Sequence, residues 1–144
     1  MTYRRELTRV TYDFLSGEES TDLTTLYPQV IGVIFFDPNS IIPVTSGRIR
    51  HVEWDVTIET SIITRYARIE LYDITGVFVG GLPGVVTAAT KQTTSLAPTR
   101  YVQNLDPIFG STTAAGLLEA RLSLQDPGPG FATCKGVQLV VTWE

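Results

Sequence analysis

RIRHVEWDVTIET, residues 48–60, alternates without a break from His51 to Glu59. Val52, Trp54, Val56 and Ile58 hold the even positions. His51, Glu53, Asp55 and Glu59 hold odd ones. In an extended chain successive side chains point to opposite faces, so this stretch presents one apolar face and one charged face. A helix would scatter the same apolar set around its circumference. The stretch therefore reads as a half-buried strand, and its charged row is either the wet side of a sheet or an active site.

The same period recurs along the chain. QVIGVIFFD (residues 29–37) reads as a strand stopped at Pro38, with DPNS as a turn. IIPV carries Pro43 and belongs at an edge or in a loop. TRYARIELYDI (64–74) turns Ala67, Ile69 and Leu71 one way and Arg68 and Glu70 the other. GVFVGGLPG (76–84) reads as a short strand running into a Gly/Pro turn. VVTAATKQTTSLAPT (85–99), rich in Thr, suits one or two exposed strands. RYVQNLDPIFG (100–110) is a short strand broken at Pro107.

GLLEARLSLQD (116–126) is composed of good helix formers, but Leu118, Ala120, Leu122 and Leu124 alternate, which predicts a strand. KGVQLVVTWE (135–144) places Val137, Leu139, Val141 and Trp143 on one face, and a strand that runs to within a residue of the last position is expected in the sheet centre. Seven to eight such strands predict an all-β, two-sheet antiparallel β-sandwich. Jelly-roll topology is favoured over an immunoglobulin-like one.

Residues 1–28 differ. Arg4, Arg5 and Arg9 cluster near one end, Glu18, Glu19 and Asp22 follow, and neither period fits. This stretch reads as an extended N-terminal arm (1–28) ahead of a β-sandwich domain (29–144). Leu7, Val10, Tyr12, Phe14 and Leu15 are more apolar mass than a free tail carries, so the arm is expected to lie on its own domain or on a neighbouring subunit.

The 144 residues correspond to one domain, 43% hydrophobic and 18% charged, with a formal net charge of −4. Mild acidity gives no electrostatic basis for nucleic-acid binding. The N-terminal sequence lacks the roughly 7–15-residue apolar run of a secretory signal. The longest apolar run, VIGVIFFDP, is too short to span a bilayer, so no membrane partner is expected. The single cysteine, Cys134, allows no internal disulfide and no zinc–thiolate cage. Although Lys135 is beside it, Cys134 reads as a small buried hydrophobe.

Tests for chemistry return little. Glu53 and Asp55 project from one face about 6.5–7 Å apart, a separation at which carboxylate pairs hydrolyse glycosides. Any half-solvated strand shows the same pattern, with Arg68 and Arg121 offered as cross-strand partners. His51, the sole histidine, would have to serve any nucleophilic triad, and no G-x-S-x-G elbow occurs. No cofactor or metal is expected. A calcium site would require the loops of Asp37, Asn39 and Asp126 to meet at one end. Tyr66 and Tyr72, in the outward phase, are candidate glycan-binding residues, whereas Trp54 and Trp143 read as core.

The chain resembles small accessory virion proteins of tailed bacteriophages, of the head-decoration or head-fibre type. YRRELTRVTYDFLSGE is similar to the RR-x-L-T…L-T-Y starts of such proteins. ARIELYDIT, LLEARLSLQDPG and the terminal VQLVVTWE fit their sandwich pattern. FLSGEES stands where those proteins carry an Asp-Gly-Asn-Phe step. The resemblance implies a non-enzymatic structural protein of the virion, assembled in the host cytoplasm. It implies binding to capsid or other virion proteins through Arg4, Arg5, Leu7, Arg9, Tyr12 and Phe14 of the arm, as a homo-oligomer such as a trimer. A carbohydrate-binding module or receptor-binding head is the alternative.

Overall fold

Alternation along the chain produces nine strands, which the computed structural model describes over residues 8–38, 49–79, 86–109 and 114–143. They are β1 (Thr8–Asp13), β2 (Glu19–Thr21), β3 (Gln29–Phe36), β4 (Ile49–Thr60), β5 (Ala67–Asp73), β6 (Val86–Thr93), β7 (Thr99–Asn104), β8 (Gly116–Leu124) and β9 (Ala132–Trp143). One helical turn, Asp106–Phe109, follows β7.

The first sheet runs β1-β9-β4-β7, with β2 continuing β1 along the same side of β9. The second runs β3-β8-β5-β6. With β2 left aside, the chain is one long antiparallel hairpin bent at β5 and β6. Its rungs are β5·β6, β4·β7, β3·β8 and β1·β9, and alternate rungs fall in opposite sheets. That wrapping is the jelly roll, and it leaves no consecutive-hairpin sheet of the immunoglobulin kind.

The residues of period two fill the space between the sheets. Val52, Trp54, Val56 and Ile58 of β4, with Leu139 and Val141 of β9 beside them, share the core with Ile69 and Leu71 of β5 and Leu118, Leu122 and Leu124 of β8 in the other sheet, all buried. Each such side chain contributes about 1.5–3 kcal/mol on burial. At one end an aromatic cluster closes the sandwich. Phe36 stacks edge-on against Tyr12, Phe78 and Phe109 at ring centroid distances of 5.9, 5.7 and 5.4 Å.

Some expectations change. Residues 8–21, read as part of an arm, supply two strands of the first sheet, because β9 has an open side whose amides and carbonyls they satisfy. Residues 116–124 form the strand that their alternation predicts. The strand expected from residue 76 does not form over 76–79. The Asp73 carboxylate instead accepts hydrogen bonds from the amides of Gly76, Phe78 and Val79, at 3.0, 2.7 and 3.1 Å, which holds that stretch in a turn. Asp37 and Asp126 do not converge. β3 enters its turn opposite Gly116 whereas Asp126 follows Leu124, so a strand's length of roughly 30 Å separates them. Arg4, Arg5, Leu7, Asn39 and Pro43 lie outside the described residues.

Candidate functional site

The charged row of β4 lies on the outer face of the first sheet, and its members diverge in role. His51 bridges two carboxylates. Its Nδ1 lies 2.8 Å from Asp106 Oδ2 and its Nε2 lies 2.7 Å from Glu53 Oε1. Asp106, opening the helical turn, also accepts the Val52 amide through Oδ1 at 2.7 Å. Its own amide donates to Asn104 Oδ1 at 2.8 Å. An ionised carboxylate only accepts, so this setting favours an imidazole that carries a proton on each nitrogen. The Asp106 and Glu53 hydrogen bonds accordingly raise the His51 pKa. Burial pushes Asp106 upward, but the bonds from His51 and the Val52 amide outweigh it and its pKa is lowered. With both ring nitrogens engaged, His51 clamps the two carboxylates together.

Asp55 pairs elsewhere. Arg100 of β7 grips it in bidentate fashion, Nε to Oδ1 at 2.9 Å and Nη2 to Oδ2 at 2.6 Å. Gln138 of β9 donates to Oδ2 at 3.3 Å. The Arg100 hydrogen bonds hold Asp55 below the ordinary carboxylate range against the opposing effect of burial. Arg68 and Arg121, offered from sequence as partners of this row, lie in the second sheet, because neighbours in a jelly roll are distant in sequence. Glu53 and Asp55 thus have separate partners.

Beside this pair the first sheet carries an open groove of about 820 Å³. It lies where β1 breaks off before β2 and β9 bulges against β4. Asp13, Leu15 and Glu18 form one wall, and Asp55 and Arg100 the other. Gly136 lies between them and Lys135 stands at the rim, 3.5 Å from Glu59 and 3.8 Å from Glu18. Among the described residues no aromatic side chain lines the groove.

The outer face of the second sheet is equally cross-linked. Arg121 pairs with Glu119 and its guanidinium lies 4.1 Å from the Tyr72 ring centroid. The Tyr72 hydroxyl donates to Glu70 at 3.0 Å. Arg68 donates to the Tyr66 hydroxyl at 2.8 Å and to Gln92. Tyr66 and Tyr72 are therefore on one side of the molecule, each with a guanidinium over one ring face. Among the arm residues, Arg9 is exposed on β1, Tyr12 packs on Phe36, and Phe14 is buried in the core.

Cys134 is fully buried, and burial pushes its thiol pKa to about 12, beyond nucleophilic use. No group of three or more metal-ligating side chains occurs among the described residues. Asp106, Arg100 and Asp73 are missing from the sequence reading. The only local signal for any of them was the Asp-Pro step at 106–107, which marks a turn without naming its partner.

The architecture is shared with viral coat proteins and with a sugar-binding domain. No family model and no curated protein sequence matches the chain. Among solved structures, the D431N VP2 protein of infectious bursal disease virus, from T=1 particles, superposes with a TM-score of 0.51 at 13% identity over 94% of this chain. The CBM36-1 domain of a multidomain xylanase from the hindgut metagenome of Trinervitermes trinervoides superposes with a TM-score of 0.51 at 12% identity, over 92% of this chain and 96% of that domain. The chain spans about a third of the length of the VP2 chains, 31% in the D431N structure. The class is thus a jelly-roll β-sandwich, the fold shared with the VP2 and CBM36-1 structures.

Proposed function

We propose that this protein is a non-enzymatic structural component of a virus particle, joined to other particle proteins through side-chain and edge contacts. The observation that carries this reading is the pairing of the outward charges. His51, Asp55 and Arg121 each close on named partners, and no group of three or more metal-ligating side chains occurs among the described residues. Such a surface resists desolvation locally and leaves binding to apolar patches and strand edges. The VP2 likeness supports the viral setting. The resemblance of the N-terminal sequence to tailed-phage accessory proteins supports decoration or cement on a head, with the protein resident on the virion after assembly in the host cytoplasm. Arg9 on β1 is the described arm residue free to face such a partner.

The test is cosedimentation of the purified chain with particles from its own source that were assembled without it. Saturable binding at fixed stoichiometry is expected. Particles that never retain the chain overturn the reading.

A carbohydrate-binding module is the second reading, favoured by the match to nearly the whole CBM36-1 domain. Tyr66 and Tyr72 would supply the contact. A glycan array decides it: selective retention of one sugar class, lost in Tyr72→Ala, would replace the structural role.

A further inference from the structure

The sandwich has four strand edges among the described residues, and three of them carry charge. β1 has Arg9 and Asp13, β6 has Lys91, and β7 has Arg100. Charges of this kind keep unpaired main-chain groups from recruiting another strand. β3, with the sequence QVIGVIFF, has neither charge nor proline. Among the described residues it pairs only with β8, and its outward side chains are exposed: Val30 49%, Val33 49% and Phe35 58%. Leu117 of β8 stands opposite Phe35, and Leu26 and Tyr27 project just ahead of the strand.

We infer that β3 is the seam of a two-fold homodimer, in which β3 of one copy pairs antiparallel with β3 of a second copy. The inference deepens the structural role proposed above and rests on it.

Three observations name a second copy as the occupant. The first is charge. A strand without charge pairs with itself without repulsion, whereas a charged partner strand would find nothing to neutralise. The second is self-complementarity. β3 has a bulge between Val30 and Gly32 and is regular from Gly32 to Phe36. A two-fold axis at Ile34 sets Val33 of one copy opposite Phe35 of the other, twice over. Such β-branched–aromatic pairs stabilise antiparallel strands. The third is exposure. Val33 and Phe35, which flank the axis, are 49% and 58% exposed, and each would gain a counterpart of the second copy alongside it. The pairing would join two four-stranded sheets into one of eight.

The experiment uses the whole chain. Sedimentation equilibrium should give twice the 15.8 kDa chain mass for wild type. Val33→Lys/Phe35→Lys should give the single mass with the far-UV spectrum unchanged, and Thr90→Lys on the β6 edge should stay dimeric. Ile34→Cys provides a second readout that does not depend on the double variant folding. Residues directly opposite in antiparallel strands have Cα atoms about 4.5–5.5 Å apart, within disulfide range. Mild oxidation should therefore yield a covalent dimer, with the buried Cys134 unreacted. A monomeric wild type, a trimer, a lysine variant that stays dimeric, or Ile34→Cys that fails to cross-link overturns the inference. So does a monomer whose β3 amides resist hydrogen exchange, since a segment of the same chain would then cover the edge. A monomer that still binds particles would remove the seam and leave the structural role. A dimer that binds none would do the reverse.

Discussion

Gly32 of β3 lies against the main chain of Phe14, where the chain leaves β1. A Cβ at Gly32 would overlap the Phe14 carbonyl oxygen and carbon. Phe14 is tied down in turn, its amide donating to the Val137 carbonyl at 3.0 Å and its ring buried. At this point the edges of the two sheets touch main chain to main chain, and no side chain fits between them.

Gly32→Ala is therefore expected to destabilise by about 3 kcal/mol, at the upper end of overpacking costs. For a chain of this size that is a fall in Tm on the order of 10 °C. Gly136 is the control, since a Cβ there meets nothing within 4 Å. Gly136→Ala should stay within about 0.5 kcal/mol of wild type. Equal Tm values for the two variants would refute the close approach.

The His51 clamp predicts a pH dependence with two limbs. The folded imidazolium holds its proton more tightly than the unfolded one, so its stabilisation is complete below the ordinary histidine value of 6.5. It is lost as pH rises through the raised folded value. Asp106 is lowered from 3.8, so its contribution is complete above that value and lost as pH falls through the folded one. The Tm difference between wild type and His51→Gln should be widest between these limits and shrink on both sides. With side chains 36% and 34% exposed, the widest gap should correspond to about 1 kcal/mol or less. A difference that grows at alkaline pH would contradict the doubly protonated ring.

Asp73 is fully buried, and its carboxylate accepts five hydrogen bonds from residues 75–79. Asp73→Ala leaves those donors unsatisfied and should cost about 3 kcal/mol or more in chemical denaturation. The amides of Phe78 and Val79 should lose hydrogen-exchange protection first. Retained protection there would mean that the turn is held by something other than Asp73.

The Cys134 thiol should not react with a disulfide reagent at neutral pH in the folded protein and should react fully once the protein is denatured. Rapid modification of the native chain would contradict its burial and its pKa of about 12.

Deleting residues 1–28 tests whether they form a separable arm. The deletion removes β1 and β2 from β9 and Phe14 from the core. Loss of a cooperative thermal transition is the expected result. A folded 29–144 fragment would restore the arm as a unit apart from the sandwich.

Alternation is a local property. Backbone geometry alone sends neighbouring side chains to opposite faces, so the inward set of β4, β8 and β9 was legible from the residues, as were the two-sheet sandwich and the wet row on β4. Cys134 as a buried core residue followed from composition. Which strands lie side by side is not local. It depends on which distant segments jointly bury the most apolar surface, and that selection placed Arg100, 45 residues away, on Asp55 and Asp106, 55 residues away, on His51. The same selection drew residues 8–21 onto the open side of β9, where a sequence without a clear period had read as an arm. It also left β3 at an edge. Eight uncharged residues suit a sheet interior equally well, and only the tertiary arrangement put one side of that strand in water.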